Sequence, residues 1–79
     1  MKNHKILVYS TQACPYCVMA KEYFKNKGVE YKDIEVGADE NAAKEMITKS
    51  GQMGVPVIDI DDNIIVGFRP DVFEKLLAE

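Results

Sequence analysis

Short apolar runs alternate along this chain with segments in which apolar residues recur at helical spacing. Residues Ile6–Tyr9 form a continuous apolar run, which is typical of a strand buried on both faces. Beyond Pro15, apolar positions are spaced as on one face of a helix: Ala20, Tyr23 and Phe24. Proline suits the first helical position because its missing N–H would be unpaired there anyway, and Gly28 is a suitable stop. The pattern predicts a strand, a loop and a helix.

The middle of the chain repeats this strand–helix order. Residues Tyr31–Val36 are predicted to form a second strand. Asp39 is a suitable N-cap for a second helix, because its carboxylate can accept hydrogen bonds from the free amides of the first turn. Gly51 would end that helix. Its apolar face would consist of Ala42, Ala43, Met46 and Ile47.

A hairpin and a third helix complete the pattern. Val57–Ile60 and Asn63–Val66 are apolar runs joined by two aspartates, and Pro70 opens the last helix. The inner face of that helix would be Val72, Phe73, Leu76 and Leu77. The order β-α-β-α-β-β-α implies a right-handed parallel crossover followed by an antiparallel hairpin. We therefore predict an α/β fold in a single domain, residues 1–79, with a four-stranded mixed sheet and helices on both faces.

Composition and charge exclude several classes of function. The net charge of −3 does not provide the basic face that nucleic-acid binding requires. No apolar run approaches the roughly 20 residues of a membrane span. The few residues before Ile6 leave no room for a signal peptide, so we expect a cytoplasmic protein that does not bind membranes.

The two cysteines of the chain, Cys14 and Cys17, are three positions apart. A bridge between them would close almost no loop and would stabilise the fold little, so a chemical role is favoured. Cys14 precedes Pro15 and would be the N-cap of the first helix, where its sulfur faces the amides of Tyr16 and Cys17 and the positive end of the helix dipole. Both effects favour a thiolate. Cys14 is therefore the candidate nucleophile, and the more shielded Cys17 is the candidate resolving thiol.

Metal binding is the main alternative for such a pair. A closed zinc site usually has four ligands, and the chain offers only His4 as a further soft ligand. We expect His4 to be an exposed terminal residue without a role, and we predict no metal site. Asp59, Asp61 and Asp62 lack the glycine and the distant glutamate of a calcium loop, so a hydrated turn is predicted there. A metal or iron–sulfur carrier would have to use Cys14 in a dimer.

Three motifs give the chain a resemblance to the glutaredoxins. They are Tyr9-Ser10-x-x-x-Cys14-Pro15-Tyr16-Cys17, then Gly51-Gln52-Met53-Gly54-Val55-Pro56, then Gly67 before the last helix. The resemblance implies the thioredoxin fold, a cis peptide bond before Pro56, and a Val55 backbone that pairs with the substrate. It also implies a redox-active dithiol that reduces protein or glutathione mixed disulfides, in electron transport and cell redox homeostasis. No cofactor would be bound, and electrons would come from glutathione or a reductase.

The chain also departs from the glutathione-using pattern. Thr11 stands where those members usually carry a lysine, and Phe68 stands where a second glycine would hold the γ-glutamyl carboxylate. Pro70 removes an amide donor, although Arg69 could supply a charge instead. The run from Gly67 to Asp71 resembles the small redoxins that donate electrons to ribonucleotide reductase and are reduced by thioredoxin reductase.

The resemblance thus leaves alternatives open. The candidate substrate- or glutathione-binding residues are Thr11, Pro15, Tyr16, Gln52, Val55, Pro56, Gly67, Phe68, Arg69 and Asp71. Phe68 either fills the core or contacts a partner protein. Lys21 either supports the thiolate or belongs to a solvated helix face, which is the default expectation. We expect a monomer whose partners are disulfide-containing proteins and either glutathione or thioredoxin reductase.

Overall fold

The computed structural model describes residues 4–78 and contains the predicted elements in the predicted order. The bounds are β1 Ile6–Ser10, α1 Pro15–Asn26, β2 Lys32–Glu35, α2 Glu40–Ser50, β3 Val57–Ile60, β4 Asn63–Val66 and α3 Pro70–Leu77. The strands form one sheet in the order β2-β1-β3-β4. β1 pairs with β2 in parallel and with β3 antiparallel, and β3 pairs with β4 antiparallel. The predicted mixed sheet is confirmed.

Helices cover both faces of this sheet, as predicted. Alternate residues of β1 and β3 point to opposite faces, because side chains alternate along a strand. On one face Val8 and Ile58 pack with Phe24 of α1 and Phe73 of α3. On the other face the core includes Tyr9, Val57 and Met46 of α2. Tyr9, Phe24 and Phe73 are fully buried.

The second strand is shorter than the predicted Tyr31–Val36. Its ladder with β1 runs from the Leu7–Lys32 pair to the Ser10–Glu35 pair and stops where β1 itself ends. Tyr31 instead packs against the Phe24 ring, with ring centroids 6.1 Å apart. Tyr31 is thus packed on the α1 face and lies outside the strand ladder.

The ends of α2 and the hairpin follow the local signals. The Asp39 carboxylate accepts hydrogen bonds from the amides of Asn41 and Ala42, and Gly51 ends α2 in the left-handed conformation. Asp61 and Asp62 have φ of 52° and 72°, as tight hairpin turns require.

Two expectations about polar side chains near this hairpin were wrong. Asp59 is not part of a hydrated turn: it is buried in β3 and paired with Lys49 of α2. His4 is not an idle terminal residue, because its ring bonds to Asp61 and to the Leu77 carbonyl. Both side chains find partners on other elements of the fold, which local patterns do not show.

None of the helices within residues 4–78 combines the length and the apolar character needed to cross a membrane.

Candidate active site

The candidate site lies at one edge of the sheet, where three loops meet. β1 ends at Ser10, and its neighbour in register, β3, begins at Val57. Because these strands are antiparallel, the loop that carries Cys14 and the loop that precedes Val57 lie at the same end of the sheet. β4 ends at Val66, opposite Val57, so Gly67 also lies there. The topology thus brings together the three motifs that are separate in sequence.

Cys14 is the N-cap of α1, with φ of −117° and ψ of 104°. Its Sγ accepts a hydrogen bond of 3.2 Å from the backbone N–H of Cys17. Of the two amides predicted to face this sulfur, the one at the third helical position makes this bond, as N-cap geometry favours. Pro15 occupies the first helical position. The sulfur therefore takes the role that a serine or aspartate oxygen has in an ordinary helix cap, and an anion there is favoured by the helix dipole.

The two thiols differ sharply in environment. Both are free, but Cys14 is partly exposed whereas Cys17 is completely buried. Burial raises the pKa of Cys17 to about 11, helped by a side-chain hydrogen bond with Cys14 and by the Cys14 charge. The Thr11 backbone and the Lys21 charge act in the opposite direction and lower the Cys17 pKa. At neutral pH the inner sulfur is therefore a neutral thiol beside an accessible one.

Lys21 is held in place, contrary to the expectation of a solvated helix face. Its Nζ donates to Asp33 Oδ2 of β2 at 3.1 Å, and Asp33 Oδ1 accepts a 2.7 Å bond from the buried Ser10 hydroxyl. Neither Ser10 nor Asp33 was predicted to be a residue of the site. The available signals were a lysine four residues after Cys17 and a serine where β1 meets the active-site loop.

Thr11 lies on the β2 side of the Cys14 loop. It lines an open cleft of about 310 Å³ together with Gln12, Ala13, Glu35, Gly37 and Ala38. The ionisable group in this lining is the Glu35 carboxylate, which accepts the Gly37 amide at 2.9 Å. This cleft therefore does not provide the positive charge that a lysine at position 11 would give.

The second motif forms the loop before β3. The Val55–Pro56 peptide bond is cis, the conformation that the resemblance implies, and Pro56 is buried. The Pro56 carbonyl accepts a 2.8 Å hydrogen bond from the Gly67 amide. This bond joins the second motif to the third. It also means that the Gly67 amide, a candidate donor to glutathione, is already engaged within the protein.

Gln52, a candidate binding residue of the second motif, braces this loop internally. Its Oε1 accepts the Gly54 amide at 2.6 Å, and its Nε2 donates to the Gly54 carbonyl at 3.0 Å and to Ser50 Oγ at 3.3 Å. Both ends of the amide are thus used inside the loop. The side chain shapes the segment that leads to Val55, and its polar atoms are engaged there.

Phe68 belongs to the core edge. Its ring lies 6.4 Å from the Tyr23 ring and 6.0 Å from the Phe73 ring, so this partly buried side chain packs against the core. Arg69 is exposed at the N-cap of α3 without a side-chain capping bond, and Asp71 is exposed in the first turn. These two side chains remain accessible to a ligand.

Two large apolar side chains are exposed in the motifs. Tyr16, in the first turn of α1, is 61% exposed, and Met53, in the loop before the cis peptide, is 77% exposed. Both lie at the end of the sheet that carries Cys14, and both are accessible to a ligand there. Tyr16 is one of the predicted binding residues, whereas Met53 is not among them.

Known proteins are similar to this chain over most of its length. A family model described as Glutaredoxin matches residues 6–65. A glutaredoxin-like 8.6 kDa protein of the rubredoxin operon of Clostridium pasteurianum is 47% identical over 74 residues, covering 94% of this chain and 99% of its own. Glutaredoxin 3 of Escherichia coli K12 is 44% identical over 62 residues, covering 76% and 72% of the two chains.

A solved structure is also similar over nearly the whole chain. It is the glutaredoxin-like protein NrdH-redoxin of Escherichia coli, described as having a thioredoxin-like activity profile. It has a TM-score of 0.81 and 29% identity, covering 91% of this chain and 93% of its own. The sheet order and the helices on both faces are those of the thioredoxin-like fold. With this fold, a nearby cysteine pair and a family match over residues 6–65, the chain belongs to the glutaredoxin family.

Proposed function

We propose that this protein reduces protein or glutathione mixed disulfides through Cys14 and Cys17. The observation that carries the proposal is the unequal placement of the two sulfurs. The accessible sulfur accepts a helix N-terminal amide, while the buried sulfur is kept protonated. Members of the glutaredoxin family are thiol–disulfide oxidoreductases that draw electrons from glutathione or a reductase, which supports the assignment.

The reaction has two exchange steps. The Cys14 thiolate attacks one sulfur of the substrate disulfide and releases the other as a thiolate, leaving a mixed disulfide. Cys17 then loses its proton and attacks Cys14, which releases the reduced substrate and leaves a Cys14–Cys17 bridge. Two electrons pass from the dithiol to the substrate disulfide. The Val55 backbone beside the cis peptide would pair with the substrate chain, and Tyr16 would contact it.

The electron source is the part of the proposal with two candidates. Glutathione is held in this family by amides and charges near the third motif, according to the resemblance. Here the Gly67 amide is bonded to Pro56, Phe68 packs on the core, and Pro70 has no amide hydrogen. These three observations favour thioredoxin reductase as the electron source. The protein would then be a redoxin-type donor to ribonucleotide reductase. With either electron source, we propose that the protein acts in the cytoplasm as a monomer.

A reductant comparison tests the proposal. The purified protein would be oxidised mildly, its Cys14–Cys17 bridge confirmed by mass, and its reduction then followed with glutathione plus glutathione reductase or with thioredoxin reductase. Turnover with glutathione plus glutathione reductase supports glutathione as the electron source. Turnover only with thioredoxin reductase, and not with glutathione, supports the redoxin-type donor. If no Cys14–Cys17 bridge forms, the proposal of thiol–disulfide exchange through this pair is wrong.

A further inference from the structure

Three side chains beside the cysteine pair form a connected polar chain. Lys21 lies four residues after Cys17, so its side chain is on the same face of α1, one turn further along. Its ammonium is bound to Asp33 of β2, which is bound in turn to the Ser10 hydroxyl at the end of β1. The Lys21 side chain is only 25% exposed. The ammonium is therefore held by Asp33 between α1 and the sheet edge, and from there its charge lowers the pKa of the buried Cys17 thiol.

The resolving step needs a charge of this kind. Cys17 must become a thiolate in order to attack, and its burial strongly opposes ionisation. Once Cys14 is held in a mixed disulfide, its own charge and its thiol proton are gone, but the burial of Cys17 remains. The groups that still favour the Cys17 thiolate are then the Thr11 backbone and the Lys21 charge. Asp33, the acidic group facing them from β2, partly offsets the Lys21 charge while holding it in place.

We propose that Lys21 promotes the resolving step, with Asp33 and Ser10 as positioning residues for its ammonium. This inference rests on the proposed function. Cys17 gives its proton to solvent, and the Lys21 ammonium stabilises the resulting thiolate. The thiolate forms the Cys14–Cys17 bond while the bond from Cys14 to the substrate sulfur breaks, and the substrate leaves as a thiolate that takes up a proton. The dithiol is oxidised and the substrate is reduced.

The experiment that tests this inference follows the resolving step, the attack of Cys17 on the mixed disulfide, separately from the first exchange. A mixed disulfide would be prepared between Cys14 and a peptide carrying a thiol, and its decay to the Cys14–Cys17 bridge would be followed by stopped flow across a range of pH. We expect Lys21→Met to slow this decay about three- to tenfold at neutral pH and to move its pH profile upward, because an ammonium near a buried thiolate is worth about half to one pKa unit.

Two matched variants separate charge from packing. Lys21→Arg keeps the charge and should restore the parent rate to within about twofold, whereas Lys25→Met, on the exposed side of the same helix, should leave the rate unchanged. Equal pH profiles for Lys21→Met and the parent would overturn the inference, and so would a Lys21→Arg variant as slow as Lys21→Met. A parent protein that forms no bridge would instead show that the proposed function itself is wrong.

Discussion

Two identical side chains in this protein have different chemistry because of where α1 begins. Cys14 is outside the helix and accepts an amide, while Cys17 is inside the first turn and buried. A Cys17 pKa of about 11 keeps the inner thiol protonated at neutral pH, which under the proposed function leaves the attack on a disulfide to Cys14. A three-residue spacing is sufficient to produce this difference, since one helical turn separates solvent from core.

The division of labour between the thiols predicts unequal effects of replacing them. Cys14→Ser should abolish disulfide reduction, because the attacking sulfur is gone. Cys17→Ser should retain activity only on glutathione mixed disulfides, where one thiol suffices, and should trap protein substrates as mixed disulfides. Turnover assays on both substrate types, with trapped species identified by mass, measure this. A Cys14→Ser variant as active as the parent would reverse the assignment.

The loop from α2 to β3 is an element whose shape depends on one side chain. Gln52 uses both ends of its amide on the peptide groups of Gly54, as a backbone turn would. A Cβ at position 54 would lie 2.7 Å from Gln52 Oε1, so the bracing requires glycine there. The two residues therefore depend on each other, and together they lead into the Val55–Pro56 peptide.

This dependence predicts a non-additive pair of substitutions. Gln52→Met and Gly54→Ala should each lower the free energy of unfolding by about 1 kcal/mol, because each removes the same hydrogen bonds. The double variant should lose little more than either single one. Denaturant unfolding measures all three, with Gln12→Met as an exposed-glutamine control. Additive losses would show that the two residues act separately.

Local chemistry made most of the elements predictable, and long-range pairing accounts for what was missed. Pro15, Asp39 and Gly51 determine helix ends within a few residues of themselves, so their effects are visible in sequence. Asp59 meets Lys49 only because α2 packs across β3, and Gly67 meets Pro56 only through β3–β4 pairing. The cysteine pair was predictable for the local reason, whereas the Lys21 partners were not.

The contact between α2 and the sheet provides a third prediction. Lys49 Nζ donates to Tyr9 Oη at 2.9 Å and to Asp59 Oδ2 at 3.1 Å, and the Asp59 side chain is only 5% exposed. Lys49→Met would leave that carboxylate buried and unpaired. We expect a loss of about 2–3 kcal/mol, below the ~3–5 for a fully buried pair because Lys49 is partly solvated. Thermal or denaturant unfolding measures it.

A second substitution distinguishes charge from packing at this contact. Adding Asp59→Asn to Lys49→Met removes the unpaired charge but keeps an oxygen that can accept the Asp62 amide. The double variant should therefore be more stable than Lys49→Met alone. If it is less stable, the buried carboxylate is not the source of the loss.

At the end of the sheet opposite to the cysteines, His4 contacts two other segments of the chain. Its ring bonds to Asp61 in the β3–β4 turn and to the Leu77 carbonyl at the end of α3, while the Lys5 amide also donates to Asp61. Three segments far apart in sequence are thereby joined. The two bonds to Asp61 lower the pKa of this carboxyl below its ordinary value of 3.8, mainly through His4.

This pKa shift predicts how stability depends on acid. A carboxyl whose pKa is lowered by folding contributes stability above the ordinary value, and the contribution is lost as pH falls through the folded value. His4→Ala should move the Asp61 pKa back toward 3.8, so the variant should be less stable near neutral pH. The difference from the parent should shrink once acid protonates Asp61 in both proteins. Carboxyl titration by NMR measures the Asp61 pKa, and acid unfolding of the parent and of His4→Ala measures the stability difference. An Asp61 pKa that is the same in the two proteins would show that His4 does not lower it.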